Sequence, residues 1–210
     1  MSDTALLVFA RAPVSGKTKT RLIPALGAVG AAELHARMVR HTLRCAIQSR
    51  IGPVTLCCAP DVEHPFFAEC ASDFGIDLQP QQGNDLGQRM AQALEFAINV
   101  HGQALLIGTD CPDLGPEELR ASARLLRAGD AVFVPATDGG YALIGVRNSV
   151  PAIFEGIAWG DGVVMEQTRI QMRRLLLVWH ELPALSDIDL PADLVHLQLS
   201  RPVLLHGIIT

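Results

Sequence analysis

Short apolar runs alternate along this chain with longer stretches of helical period, and few folds accept that rhythm. Ala5 to Ala10 (ALLVFA) is a run of buried-strand type that stops at Arg11-Ala12-Pro13. Ala31 to Ser49 then places Leu34, Met38, His41 or Thr42, and Cys45 on one side of a crossover helix. The same alternation continues with a strand at Val54 to Ala59, a helix at Val62 to Asp73 and a short strand at Ile76 to Gln79. Asp85 is placed to cap a helix from Leu86 to about Val100, and Ala104 to Ile107 is a buried strand opening on Gly108-Thr109-Asp110. Pro116, Glu117 and Glu118 suit the first turn of a helix running to about Ala128. Strands at Ala131 to Pro135 and Tyr141 to Val146 follow, then helical segments at Ala152 to Glu155 and Val163 to Arg174. A strand at Leu175 to Trp179 and a short helix at Ala192 to Leu199 complete the pattern. Such β-α-β alternation predicts a single α/β domain over residues 1–210: three layers, with helices on both faces of a mostly parallel sheet.

Ligands on sheets of this kind bind in crevices beyond the carboxyl ends of the strands, and composition narrows which ligands those can be. The 210 residues carry a net charge of -5, so binding to nucleic-acid phosphate is not expected as the main task, and any basic site must be local. With 49% apolar and 19% charged residues the chain can fold without metal or disulfide support. No uninterrupted apolar run reaches the roughly 20 residues of a membrane span, and Met1-Ser2-Asp3 lacks the basic start of a secretory signal, so a cytoplasmic location is expected. The five cysteines form no C-x-x-C pair and read as reduced, buried thiols, with Cys111 beside Asp110 the one to watch. The seven histidines are scattered, which favours structural or solvent-facing roles.

Four motifs fall where the strands end. The loop Arg11 to Arg21 holds Arg11, Lys17, Lys19 and Arg21 with no acid among them, which calls for an anionic partner or leaves a solvated basic loop. Gly16-Lys17-Thr18 resembles the end of a phosphate-binding P-loop, but that pattern needs glycine at position 11, where arginine stands. In Gly108-Thr-Asp-Cys-Pro-Asp113, Asp110 and Asp113 are hard oxygen donors suited to Mg2+ or Mn2+, although Asp113 is equally placed to cap the next helix. Asp138-Gly139-Gly140 would let the backbone approach a ligand closely, or serve as an ordinary hairpin turn. In Ser186-Asp-Ile-Asp-Leu-Pro-Ala-Asp193, Asp189 could cap a helix, which leaves Asp187 the freer candidate for a second metal contact. Together these compose one anion-plus-metal site able to bind a nucleotide diphosphate or triphosphate.

The segments FARAPVSGKTKTRL, GNDLGQRM, LLIGTDCPDL, PATDGGYALIG and SDIDLPADL, in this order, resemble a bacterial family of GT-A-type, nucleotide-diphospho-sugar transferase-like proteins. That resemblance implies a Rossmann-like GT-A fold with a mixed sheet, shared by glycosyltransferases and nucleotidyltransferases. The guanylyltransferases of molybdenum cofactor and phospholactate synthesis are similar at the turn Gly108, Asp110, Pro112. The resemblance implies a metal contact at Asp110 and a second at Asp187 or Asp189, and it places Arg89 near phosphate or base, unless Arg89 is a plain surface arginine. The first loop departs from the G-x-G-x-R loop of nucleotidyltransferases, sharing only its glycine and cations, which counts against nucleotidyl transfer.

The expected function is therefore metal-dependent transfer of a sugar from a nucleotide diphosphate. Asp110 and Asp187 would hold the ion, the basic loop and Arg89 would bind phosphates, Gly139 and Gly140 would contact substrate, and Asp138 would act as base or acceptor-binding group. The alternatives are a nucleotidyltransferase that releases pyrophosphate and a nucleotide-sugar-binding protein without catalysis.

Overall fold

A computed structural model describes residues 4–149 and 151–208. Seven strands form one sheet: β1 (Ala5–Arg11), β2 (Val54–Ala59), β3 (Asp77–Pro80), β4 (Ala104–Ile107), β5 (Ala131–Pro135), β6 (Tyr141–Val146) and β7 (Trp179–Glu181). Their spatial order is β3-β2-β1-β4-β6-β5-β7, and only β6 runs antiparallel to its neighbours. The sheet is thus mixed and mostly parallel, as expected, and strand order reverses beside β1, between β2 on one side and β4 on the other.

Alternation along the strands builds two cores. Leu6, Val8 and Ala10 face a layer that includes α1 (Ile23–Ser49), α2 (Pro65–Phe74) and α4 (Pro116–Leu125), with Val39, Leu43, Phe67 and Leu119 fully buried there. Ala5, Leu7 and Phe9 face α3 (Leu86–His101) and α5 (Val164–Arg174) through Met90, Leu94, Met165 and Met172. A third, smaller cluster joins Leu22, Leu34 and Met38 to Ile188, Leu194 and Leu197, seating α6 (Asp193–Ser200) and the segment before it against the start of α1.

Helix boundaries follow local chemistry. His64 and Pro65 start α2 later than Val62, because the His64 ring accepts from the Phe66 amide and Pro65 suits the first turn. Asp85 caps α3 as expected, its carboxylate accepting from the Gln88 amide at 2.8 Å. Helix α1 begins at Ile23 rather than Ala31, with a non-helical Gly27 marking a kink. With the turn before it, this segment, Thr20–Ser49, is long and apolar enough to cross a membrane by length and composition. Its apolar side is occupied within the fold, where Leu34, Met38, Val39 and Leu43 are inaccessible to solvent.

The strand expected at Leu175 to Trp179 lies instead at Trp179–Glu181. Helix α5 continues to a left-handed Leu176, and the amides of Leu176 and Leu177 bond back to Arg173 and Met172 at 3.1 and 3.0 Å. That is a Schellman termination with leucine where glycine is usual, and it uses the residues that a strand would have needed.

Candidate nucleotide and metal site

A cleft of about 800 Å3 opens at the carboxyl ends of β1 and β4, where the strand order reverses. The first loop, the turn after β4, the β5–β6 hairpin and the segment before α6 all contribute to it, so the four motifs of the sequence converge.

The first loop is braced from within. The Thr18 hydroxyl donates to the Ala12 carbonyl at 2.8 Å and accepts from the Val14 amide, while the amides of Lys17 and Thr18 turn back to the Val14 carbonyl. Gly16 adopts φ 77 and Lys19 φ 49, and a short 3-10 turn, Thr20–Leu22, follows, so Gly16-Lys17-Thr18 does not open directly into the long helix of a P-loop. Beneath the loop, buried His35 of α1 donates from Nε2 to the Arg11 carbonyl at 3.0 Å. Burial holds this imidazole below its ordinary pKa, with nearby Asp110 pulling the other way. Its histidine is thus a structural support, in keeping with the sequence reading.

The acids line the same cleft. Asp110 follows β4, and its carbonyl accepts the Ile188 amide at 2.8 Å, which ties the Asp110 turn to the Asp187-Ile188-Asp189 segment. The hairpin joins them: Thr137 Oγ1 donates to Asp187 at 3.4 Å, and the Thr137 amide donates to the Leu185 carbonyl at 3.0 Å. Asp138 accepts from the Gly140 amide at 2.8 Å. Burial, then the charge of Asp138, pushes the Asp187 carboxyl above the usual carboxylate range. Burial, then Asp110, Asp187 and Asp138, pushes the Cys111 thiol far above its usual range, so Cys111 is a protonated, buried neighbour of the acids.

Lys19 lies among these acids rather than beside Arg11 and Lys17 in solvent. Its side chain is 5% exposed, with Nζ 2.7 Å from Asp110 Oδ1, 3.7 Å from Asp189 Oδ1 and hydrogen-bonded to the Ile188 carbonyl. Arg21 pairs with Asp189 at 2.7 Å. Arg11 and Lys17 are exposed and make no ion pair among the described residues. Arg89 also borders the cleft, with Nε on the Gly83 carbonyl at 3.0 Å.

Asp113 requires a correction. It is absent from the cleft, and its carboxylate meets His196 at 2.6 Å and Arg201 at 3.6 Å, tying the β4–α4 turn to the C-terminal segment. Neither does it cap α4, whose N-cap is Gly115 with its amide on the Glu118 carboxylate. Asp189 likewise is not the cap of α6, whose N-cap is Ala192. The Asp193 carboxylate accepts from the amides of Asp189 and Leu190, which frees Asp189 for the basic loop.

Gly139 is required by a close backbone crossing. At φ 91, a Cβ there would fall 1.9 Å from the Gly162 carbonyl oxygen, while the Met165 amide donates to the Gly139 carbonyl at 2.8 Å. Thus the turn is both a hairpin and a wall of the site. The Gly160–Gly162 stretch it presses on carries Trp159, whose ring edge packs over Gly87 and borders the cleft. Tyr141 also borders the cleft, its hydroxyl shielded and without a hydrogen-bond partner among the described residues. Sequence reading missed Trp159 and Tyr141; the glycines that follow Trp159 in Trp159-Gly-Asp-Gly162 were the available signal.

The family model for an uncharacterised protein conserved in bacteria (DUF2064) matches residues 42–161. The chain belongs to the DUF2064 family. A provisionally assigned nucleotide-diphospho-sugar transferase from Desulfovibrio desulfuricans G20 resembles this DUF2064 chain closely in structure. It is 31% identical with a TM-score of 0.87, over 98% of this chain and 91% of that one. More distant likenesses show the fold alone. They include a nucleotidyl transferase from Methanothermobacter thermautotroptrophicus (14% identity, TM-score 0.65, 98% and 99% coverage). Another is the manganese complex of Rv0371c from Mycobacterium tuberculosis H37Rv (18%, 0.55, 94% and 99%). No curated protein matches the sequence.

The donor set suits a hard divalent ion that shares its shell with a ligand. Among the described residues no three acid, histidine or cysteine side chains form a closed metal cage. Asp110 and Asp187 are oxygen donors on hydrogen-bonded neighbouring segments beside a cleft with free cations. Ions such as Mg2+ are commonly held by one or two carboxylates plus waters and phosphates rather than by an all-protein cage.

Proposed function

We propose that this chain is a metal-dependent transferase acting on a nucleoside-diphosphate-linked sugar, with the sugar as the transferred group. The observation that carries the reading is the division of charge across one cleft. Asp110 and Asp189 pair with Lys19 and Arg21, while Asp138 and Asp187 make no ion pair among the described residues and are open to a divalent ion, and Arg11 and Lys17, likewise without an ion pair there, remain for phosphates. A bound divalent ion would supply charge neutralisation at a departing diphosphate. Arg11 and Lys17 would bind the terminal phosphates, and Arg89 the nucleotide side. Asp138, held by the Gly140 amide at the cleft wall, would orient or deprotonate the acceptor hydroxyl. Asp110 and Asp187 would hold the ion, and the manganese in the Rv0371c structure supports divalent metal use without choosing between Mg2+ and Mn2+.

Nucleotidyl transfer is the second reading, supported by the nucleotidyl transferase and by the CTP complex of a CMP-2-keto-3-deoxy-manno-octonic acid synthetase among the fold relatives. The first loop, which lacks the glycine-rich phosphate pattern of such enzymes, favours sugar transfer. Product analysis separates the two: nucleoside diphosphate release supports sugar transfer, and pyrophosphate release supports nucleotidyl transfer. A binding protein without catalysis would show nucleotide-sugar binding with no turnover, and its binding would be indifferent to Asp138→Ala. A cytoplasmic setting accords with five buried, unpaired cysteines.

A further inference from the structure

Lys19 already pairs with Asp110, the carboxylate proposed to bind the ion. A lysine with a 5% exposed side chain would be costly to bury unless its charge were met. Here it is met by Asp110 at 2.7 Å, by the Ile188 carbonyl and, more distantly, by Asp189. The backbone is committed to the arrangement: Lys19 adopts the left-handed region at φ 49 and ψ 44, and its carbonyl accepts the Leu22 amide at 2.9 Å. A non-glycine residue held in that region indicates that the surrounding structure fixes it.

Resting on the reading of Asp110 as a metal ligand, we infer that Lys19 is a tethered counter-ion that competes with the divalent ion for Asp110 and couples metal binding to nucleotide binding. Without nucleotide, an incoming ion must take Asp110 from the ammonium and lie beside a positive charge, which weakens it. A diphosphate in the cleft offers the ammonium a new anionic partner within reach of its flexible stem, since Lys19 belongs to the loop that carries Arg11 and Lys17. Releasing Asp110 then favours the ion, and by linkage the ion favours the diphosphate by the same factor. The device would leave the site with its own cation until substrate arrives.

The test is Mn2+ binding measured by electron paramagnetic resonance, with and without a nucleoside diphosphate, on the wild type, Lys19→Met and Lys19→Gln. The glutamine keeps an amide donor for the Ile188 carbonyl and guards against a folding defect in the methionine variant. Both variants are expected to bind Mn2+ alone on the order of tenfold more tightly than wild type. The factor by which diphosphate tightens Mn2+ should also shrink in both. Unchanged or weaker binding of Mn2+ alone in folded variants would overturn the inference. Absence of Mn2+ binding to every form, even with diphosphate, would instead sink the metal site on which it rests.

Discussion

The Ile188 amide donates to the Asp110 carbonyl at 2.8 Å, so the acid after β4 and the acids before α6 belong to one hydrogen-bonded unit although they are far apart in the chain. Ile188 is itself fully buried in the cluster formed with Leu22, Leu34 and Leu194, which anchors that unit to α1 and α6. If Asp187 supplies a metal contact from this unit, Asp187→Ala should weaken Mn2+ binding, measured with a nucleoside diphosphate present, by at least about tenfold. Its melting temperature without metal should not fall, because removing the carboxylate also removes its burial and its repulsion with Asp138.

Stability should decline on mild acidification because of His35. The fold holds this buried imidazole below its ordinary pKa, so the unfolded chain takes up a proton that the native state refuses. Stability from this group is therefore complete above about 6.5, the ordinary imidazole value, and is lost as pH falls from there toward the lowered native value. His41, also lowered chiefly by burial, acts in the same direction. Urea denaturation at pH 7.5 and at lower pH should show a shallower pH dependence for His35→Gln than for wild type, with that of His41 remaining.

Gly139 and Gly140 should differ sharply in tolerance. Alanine at 139 meets a positive φ and the Gly162 carbonyl together, and is expected to cost about 2–4 kcal/mol, or roughly 6–12 °C in Tm. Alanine at 140 meets only the Asp138 carboxylate oxygen at 3.2 Å and should cost much less. Differential scanning calorimetry of the two variants gives the comparison, and equal losses would contradict the crossing as the cause.

Leu176 is a site for stabilisation. It is 89% exposed, so its side chain contributes little burial, yet it holds the left-handed position that ends α5. Leu176→Gly relieves that backbone penalty, partly offset by the greater freedom of glycine in the unfolded chain. A net gain of about 0.5 kcal/mol is expected, seen as a rise of roughly 1–2 °C in Tm.

Strands were legible wherever apolar runs ended in unambiguous breakers. Ala104–Ile107, stopped by Gly108, and Ala131–Pro135 and Tyr141–Val146, divided by Asp138-Gly-Gly140, stand as read. The β7 strand was misplaced because the leucines at 175–177 carry no glycine to announce a helix end, and the αL turn is imposed by backbone bonds to Met172 and Arg173. Asp110 and Asp187 were legible as site candidates from their loops, and the fold places them on adjoining segments. Asp113 was misread because its partner, His196, is 83 positions away and nothing local reveals the pair. Lys19 was grouped with Arg11, Lys17 and Arg21 as one phosphate-binding loop for the same reason. Its pairing with Asp110 depends on the left-handed backbone at Lys19 and on the packing of two distant loops, and neither is written in the spacing of the charges.

The central claim is that Asp110 helps hold a divalent ion through which a nucleotide binds. Asp110→Asn is the appropriate variant, since its amide oxygen can still accept from the buried Lys19 ammonium. The decisive measurement is the melting temperature of wild type and this variant across a panel of nucleoside diphosphates and nucleotide sugars, with and without Mn2+. The account predicts that at least one nucleotide raises the wild-type Tm more with Mn2+ than without, and that the Mn2+-dependent part is lost in Asp110→Asn. A full shift retained in Asp110→Asn, or no shift with any nucleotide, would contradict it.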